Sequence, residues 1–227
     1  MNRELEQLRA ILRFARNEGI IPASPFERAS TPLISKADET KRTRILTDDE
    51  EARLLEACQK PTRAHLYPIV IAALDTGARK GELLALRWSD VSFERMAITL
   101  RAMTTKTLKT RTVPLSNRLA FALHQWAVSK CGYSGRTFPT TEDRVFPLVK
   151  FQNGWDAACE DAKIEDFRFH DLRACWISRM IRNGMPVELV AKISGHTQVS
   201  TLYSHYVRTI YDAIRHARSI LNRDDDD

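Results

Sequence analysis

A chain of 227 residues with 43% hydrophobic and 28% charged residues has the composition of a soluble globular protein with one substantial core. Its longest apolar stretch, residues 67–74, is far too short to cross a bilayer, and no cationic segment with an apolar signal core opens the chain, so we expect a cytoplasmic protein without membrane contact. The net charge of +6 favours a polyanionic partner such as nucleic acid, although charge alone is weak evidence because many basic proteins bind none.

The first predicted element is an amphipathic helix from Asn2 to Asn17, whose apolar face consists of Leu5, Leu8, Ile11, Leu12 and Ala15. Glycine, prolines and a polar, basic run follow, so residues 27–45 are predicted to be a linker. An isolated helix of this length is marginal in water. Residues 1–26 therefore either pack on the following domain or form the end of a domain that is largely missing.

A compact domain is predicted from residue 46 to residue 222, followed by an acidic tail at 223–227. Thr47 and Glu50 have the spacing of a capping box that starts its first helix. Helical periodicity continues at 62–75, 80–87, 117–130, 151–163, 171–183, 186–193 and 209–222. Two short strands, 96–103 and 112–115, flank a polar turn at 104–111. The predicted fold is mainly α with a small antiparallel β-sheet, an α+β arrangement.

The four cysteines are scattered and never approach a CxxC spacing, which argues against a zinc site and a disulfide framework. Cys58, Cys159 and Cys175 fall among apolar residues with helical periodicity, so we expect buried thiols. We predict no metal site and no cofactor.

Two polar clusters place a cation where it could meet a phosphate. In the first, Gly77 can end one helix and present Arg79 at the start of the next, where a guanidinium and backbone N–H groups bind an anion well. In the second, the turn at 104–111 presents lysines that can reach a DNA groove or supply a proton. A surface arginine and a solvated basic turn are the ordinary interpretations, and each is favoured when its cluster is taken alone.

Two further clusters combine histidine with arginine or tyrosine. His170 and Arg173 are three residues apart and share a helical face, which suits a phosphate that is being transferred. His196 follows a glycine, and Tyr203 and Tyr206 come soon after it, offering a donor and a nucleophile. A helix cap, a core histidine and aromatic packing are the ordinary interpretations of these residues.

The order, spacing and residue types of the four clusters together resemble the signature of the tyrosine recombinase family, which includes the phage integrases. The resemblance covers about residues 46–206 and implies the catalytic-domain fold of that family. It also implies six catalytic residues and one supporting acid, namely Arg79, Lys106, His170, Arg173, His196 and Tyr206, with Glu82 in support. Lys109 is a less favoured occupant of the lysine position. Residues 1–26 are similar to the last helix and the link of a core-binding domain.

The sequence offers two candidates for the nucleophile, Tyr206 and Tyr203. In this family it usually lies nine residues beyond the histidine of the Gly-His motif, and that position here is His205. Tyr206 is one residue further on and is preferred because related integrases tolerate that offset. Tyr203 is the rival, since Tyr203 and His205 resemble the Tyr-x-His ending of the family.

The resemblance implies a metal-independent and ATP-independent DNA strand transferase that acts through a 3′-phosphotyrosine. Its expected partner is double-stranded DNA, bound by a homotetramer on two duplexes through the C-terminal helix, in the cytoplasm at the nucleoid. Two alternatives remain open: a catalytically inactive DNA-binding regulator of the same fold, and a strand transferase like the type IB topoisomerases.

Overall fold

The computed structural model describes residues 2–28, 44–101, 110–131, 138–147, 151–196, 199 and 202. The chain divides into two units, Met1–Arg42 and Thr43–Asp227. The helix predicted at 209–222 lies outside the described residues. Within the described ranges, no helix is long and apolar enough to span a membrane.

The first unit contains α1 (Asn2–Asn17) and α2 (Pro25–Arg28). The predicted amphipathic helix is confirmed with the same bounds. An ion pair between Arg16 and Glu27 joins α1 to α2. The side chains of Ile11 and Phe14 are 63% and 64% exposed, so the apolar face of α1 is not covered within this unit. The assignment of residues 1–26 to the end of a largely missing core-binding domain, and of residues 27–45 to a linker, stays a prediction.

The second unit is mainly helical, with one small sheet, as predicted. In chain order its described residues form α3 (Asp48–Cys58), a 3₁₀ turn (Pro61–Arg63), α4 (Leu66–Thr76), α5 (Lys80–Ala85), a 3₁₀ turn (Trp88–Asp90), β1 (Val91–Ser92), β2 (Ala97–Leu100), β3 (Arg111–Pro114), α6 (Asn117–Cys131), α7 (Gln152–Asp161), α8 (Asp171–Arg182) and α9 (Val187–Ser194).

The capping box at the start of α3 is confirmed. The Thr47 hydroxyl accepts a hydrogen bond from the Glu50 backbone N–H at 3.2 Å, and the Glu50 carboxylate accepts one from the Thr47 backbone N–H at 2.9 Å. Two donors that the first turn would otherwise leave without partners are thereby satisfied. Hydrogen bonds from the Arg44 guanidinium lower the pKa of Glu50 to about 2, so this carboxylate stays charged at neutral pH.

The central helix α4 is buried on nearly all sides, because its apolar run faces neighbours in several directions rather than along one stripe. It packs against α6 and α8, while α3 packs against α7 and α8 against α9. Fully buried aromatic and aliphatic side chains fill the spaces between these helices, among them Leu54, Ile69, Ile71, Leu74, Phe146, Trp155 and Trp176. The core surrounds α4, and the C-terminal end of this helix leads into the candidate site.

The small sheet is antiparallel with the strand order β1-β2-β3. Ile98 pairs with Val113, and Leu100 pairs with Arg111. The sequence predicted two strands, and the structure adds β1, a two-residue strand that is too short to show an alternating pattern. Arg111 was assigned to the polar turn but begins β3, which matters for the site described below.

The three cysteines with described side chains, Cys58, Cys159 and Cys175, are buried and free, as predicted. Burial raises the pKa of Cys58 to about 12 and the pKa values of Cys159 and Cys175 to about 11. These thiols are therefore protonated and unreactive at neutral pH.

Gly77 ends α4 in a left-handed conformation with φ 62° and ψ 17°. Its N–H donates to the Ala73 carbonyl at 3.1 Å, which closes the last turn. A Cβ added to Gly77 would lie 2.5 Å from Cε3 of Trp176, whose ring is buried in α8. Both the backbone angle and the close approach of this ring require glycine.

We expect Gly77→Ala to reduce the free energy of unfolding by two separate effects. An alanine in the left-handed region costs roughly 1–2 kcal/mol, and forcing a methyl group against the buried Trp176 ring costs about 1–3 kcal/mol more. Gly184→Ala is the matched control, because Gly184 has φ 85° but nothing within 4 Å of its added Cβ. Urea unfolding of both variants measures the difference, and equal losses would contradict the role given to Trp176.

Candidate active site

Arg79 stands at the N-terminus of α5, directly after the turn that Gly77 makes possible. Its backbone is extended, with φ −72° and ψ 149°, and its N–H donates to Glu82 Oε2 at 2.7 Å. The carboxylate three residues into the helix thus caps the helix start and fixes the backbone of Arg79. The Arg79 side chain remains 31% exposed, so it can reach a ligand.

Glu82 is the centre of an arginine cluster. Its carboxylate is buried, and it accepts two hydrogen bonds from the Arg111 guanidinium, at 2.7 and 2.8 Å, and one from Arg79 Nη1 at 3.3 Å. Burial raises the pKa of this carboxyl group, but the hydrogen bonds from Arg111 and from the Arg79 backbone outweigh that effect and hold its pKa below the ordinary value. Glu82 is therefore a charged carboxylate that orients two arginines, and its catalytic role as a supporting acid stays a prediction.

Arg111 was missed by sequence reasoning, and it is the main addition that the structure makes to the site. Besides its two bonds to Glu82, its Nε donates to the Ile193 carbonyl at 2.6 Å, and its side chain is only 10% exposed. A Cβ added to Gly195 would lie 3.0 Å from its guanidinium. No local signal marks this residue, because its partners are 29 and 82 positions away in the chain. The sequence placed Arg111 at the end of a basic turn, next to a predicted strand, and this position gave no indication of a role in the site.

Arg173 lies in the first turn of α8 and is 4% exposed. Its Nη1 donates to the Gly77 carbonyl at 2.7 Å, and its Nη2 lies 3.2 and 3.3 Å from the two ring nitrogens of His196. Burial lowers the pKa of Arg173 to about 9, and the positive charges of Arg79 and Arg111 act in the same direction while Glu82 opposes them. The guanidinium remains charged at neutral pH, in surroundings that favour a nearby anion.

His196 follows the turn that ends α9. Gly195 has a left-handed backbone with φ 74° and ψ 40°, and its carbonyl accepts a hydrogen bond from Arg79 Nη2 at 3.0 Å. The C-terminal end of a helix carries partial negative charge, so the guanidiniums of Arg79 and Arg111 are well placed against the carbonyls there. The His196 ring is half-buried and lies against Arg173.

His170 is the residue before the first turn of α8, and it makes no side-chain capping bond. It is exposed, yet the surrounding protein desolvates part of its ring, which lowers its pKa below the ordinary value. The positive charges of Arg173 and Arg79 lower this pKa further, while Asp171 raises it. His170 is thus predominantly neutral at pH 7, the form that can accept a proton.

The structure therefore brings four of the predicted residues together as two contacting pairs, Arg79 with Glu82 and Arg173 with His196. The pairs are linked through Gly195, whose carbonyl accepts a hydrogen bond from Arg79, and through the charges of Arg79 and Glu82, which act on Arg173. His170 is linked to them through the charges of two arginines rather than by a hydrogen bond that the structure assigns. Lys106, Lys109, Tyr203 and Tyr206 lie outside the described residues. Three guanidinium groups around one carboxylate give this part of the structure a surplus of positive charge suited to a phosphate.

No group of three or more histidine, cysteine or acidic side chains among the described residues is arranged to hold a metal ion. Glu82, the acid at the centre of the cluster, is already bonded to Arg79 and Arg111.

Comparison with known proteins identifies the family to which the chain belongs. Residues 44–212, which make up most of the chain, match the pattern of the phage integrase family. The chain belongs to this family of tyrosine recombinases. The chain is 35% identical over 206 residues to a shufflon-specific DNA recombinase of Escherichia coli, covering 89% of this chain and 50% of that relative. It is 27% identical over 227 residues to an integrase of Salmonella phage P22, covering 95% of this chain and 56% of the relative.

Solved structures confirm the predicted fold of this phage integrase family member. The catalytic domain of bacteriophage HP1 integrase has a TM-score of 0.57 and 27% identity, covering 71% of this chain and 86% of that one. A Tn1549 transposon integrase in complex with transposon right end DNA has a TM-score of 0.68 at 18% identity, covering 97% of this chain and 78% of that one. The chain spans about half the length of the two curated relatives described above.

Proposed function

We propose that this chain is the catalytic part of a site-specific DNA recombinase or integrase that cleaves and rejoins DNA strands through a 3′-phosphotyrosine. The observation that carries the proposal is the convergence of two bonded pairs, Arg79 with Glu82 and Arg173 with His196, around Gly195 in a member of the phage integrase family. The named relatives are a DNA recombinase and an integrase, which fits this activity.

The charge of the cluster suits the proposed reaction. A phosphodiester that is attacked by a nucleophile gains negative charge in its five-coordinate transition state. Arg79 and Arg173 are fixed in advance by their bonds to the Gly195 and Gly77 carbonyls, so they need little rearrangement to stabilise that charge. Arg111 donates hydrogen bonds to Glu82 and to the Ile193 carbonyl near His196. It therefore positions the other groups of the site.

In the proposed step, the hydroxyl oxygen of Tyr206 attacks phosphorus, the bond from phosphorus to the 5′-oxygen breaks, and the 3′-phosphate becomes linked to tyrosine. The tyrosine proton passes to His170, whose lowered pKa makes it a neutral acceptor. Lys106 gives a proton to the departing 5′-oxygen. The phosphotyrosine keeps the energy of the broken bond, so rejoining reverses the step without ATP or a metal ion.

We also propose how the chain works in its assembly. Double-stranded DNA is the partner, and a homotetramer on two duplexes, linked through the segment at 209–222, carries out strand exchange at the nucleoid. The net charge of +6 favours binding to the phosphate backbone.

The test is to trap the covalent intermediate and to map the linked residue. A pool of nicked duplexes with randomised sequence around the nick serves as the probe, because a short fragment beyond the cut diffuses away and leaves the adduct. We expect a protein–DNA adduct that survives denaturing electrophoresis with the wild-type chain and with Tyr203→Phe, and that disappears with Tyr206→Phe. Peptide mapping of the adduct identifies the tyrosine directly.

The other possible outcomes of the adduct experiment each support a different nucleophile or a different function. An adduct that is lost in Tyr203→Phe and kept in Tyr206→Phe makes Tyr203 the nucleophile. DNA binding without an adduct for any duplex in the pool supports the inactive regulator instead. Relaxation of supercoiled plasmids that lack any sequence selected from the pool supports the activity of a type IB topoisomerase.

A further inference from the structure

Ser194, the last residue of α9, makes three close contacts in the interior. Its side chain is fully buried. Its Oγ lies 2.6 Å from the Val190 carbonyl oxygen and 3.2 Å from the Ala191 carbonyl oxygen. It also lies 2.7 Å from Nδ1 of His196, so this hydroxyl connects the helix backbone to the histidine of the site.

The number of hydrogens on each group determines which group donates in these contacts. A serine hydroxyl has one hydrogen, and a carbonyl oxygen has none to give. At 2.6 Å, two oxygens without a hydrogen between them would repel, so the Ser194 hydrogen points to the Val190 carbonyl, a common back-bond in helices. Nδ1 of His196 must then donate to the remaining lone pair of Oγ.

The contacts of Arg173 are compatible with either neutral tautomer of His196, because Nη2 lies 3.2 Å from Nδ1 and 3.3 Å from Nε2. A guanidinium only donates, so Arg173 Nη2 needs a ring nitrogen of His196 that carries a lone pair. Nδ1 has its proton directed at Ser194, which leaves Nε2, 3.3 Å from Nη2, as the acceptor. We infer that Ser194 is a positioning residue that keeps the proton of neutral His196 on Nδ1 and leaves Nε2 as a hydrogen-bond acceptor.

The consequence for catalysis rests on the proposed function. A phosphate oxygen accepts hydrogen bonds, so His196 can donate through Nε2 only after that nitrogen has gained a proton. Among the described side chains, Arg173 contacts His196, Arg79 and Arg111 lie against the neighbouring Gly195, and Glu82 accepts hydrogen bonds from both of these arginines. Binding of the DNA phosphate would bring a hydrogen-bond acceptor to the nitrogen that Ser194 leaves unprotonated.

The tautomer can be measured by NMR on the whole chain with ¹⁵N-labelled histidine, at a pH where the ring is neutral. His196→Gln identifies the His196 signals by their loss. We expect wild-type His196 to carry its proton on Nδ1, Ser194→Thr to keep it there because the hydroxyl is kept, and Ser194→Ala to shift it to Nε2. Ser178→Ala, which alters another buried serine, in α8, is the control and leaves the His196 tautomer unchanged.

Wild-type His196 with its proton on Nε2 overturns the inference, whatever the variants do. An unchanged Nδ1 proton in Ser194→Ala overturns the role of Ser194. This readout does not depend on DNA cleavage. A failure here is therefore distinct from a failure to trap the covalent adduct.

Discussion

Replacing Arg173 with lysine is expected to slow formation of the covalent DNA adduct by about 10²–10³-fold, the cost of removing one fixed donor from a transition state. Lysine keeps a positive charge but lacks the planar fork that lets Arg173 contact the Gly77 carbonyl and His196 together. A lysine at position 173 can keep only one of these two contacts, so its ammonium group is no longer held in a fixed orientation. The rate of adduct formation on a selected nicked duplex measures the effect.

Arg182→Lys is the matched control, because Arg182 is an exposed residue at the other end of the same helix. We expect it to form adduct at the wild-type rate and Arg173→Lys to retain DNA binding in a gel-shift assay. Wild-type cleavage by Arg173→Lys would show that the fork geometry is not needed.

Removal of Arg111 is expected to destabilise the fold by about 3–5 kcal/mol, as measured by urea unfolding of Arg111→Ala. The Glu82 carboxylate is 2% exposed and would lose its two shortest side-chain hydrogen bonds. A buried carboxylate without its partner is costly because its charge has been taken out of water. For comparison, Glu142→Gln removes an exposed ion pair with Arg87 and should change stability by less than about 1 kcal/mol.

A double variant separates stability from function. Glu82→Leu combined with Arg111→Met removes both charges together, and we expect it to recover most of the lost stability, since no buried charge is left alone. Adduct formation should stay impaired, because Arg79 has lost the carboxylate that orients it. If the double variant is as unstable as Arg111→Ala, the loss arises from packing rather than from the unpaired charge.

Local patterns in the sequence predicted most of the helices, since periodicity and caps depend on neighbouring residues. The capping box of Thr47 and Glu50 is the clearest case. The resemblance to the tyrosine recombinases supplied the candidate residues, and the structure places Arg79 in contact with Glu82 and Arg173 in contact with His196.

Arg111 and Ser194 could not be predicted from local patterns. Arg111 becomes part of the site only because β3 lies beside the end of α9, a contact between segments about 80 residues apart. Ser194 in the sequence is an ordinary small residue in a helix. Ser194 contacts His196 only because the left-handed backbone of Gly195 turns the chain and places the His196 ring against the Ser194 hydroxyl.

The surplus of positive charge around Glu82 also affects how this protein should be handled. Among the described side chains, Glu82 is bonded to two guanidiniums and lies within the charge field of a third, so dissolved oxyanions are attracted to the place that the proposed function gives to the DNA phosphate. Sulfate or inorganic phosphate in a buffer would compete for these arginines, whereas chloride is a single atom and cannot form the two parallel hydrogen bonds that two oxygens form with a guanidinium. Apparent DNA affinity will then depend on which salt is present, and not only on its ionic strength.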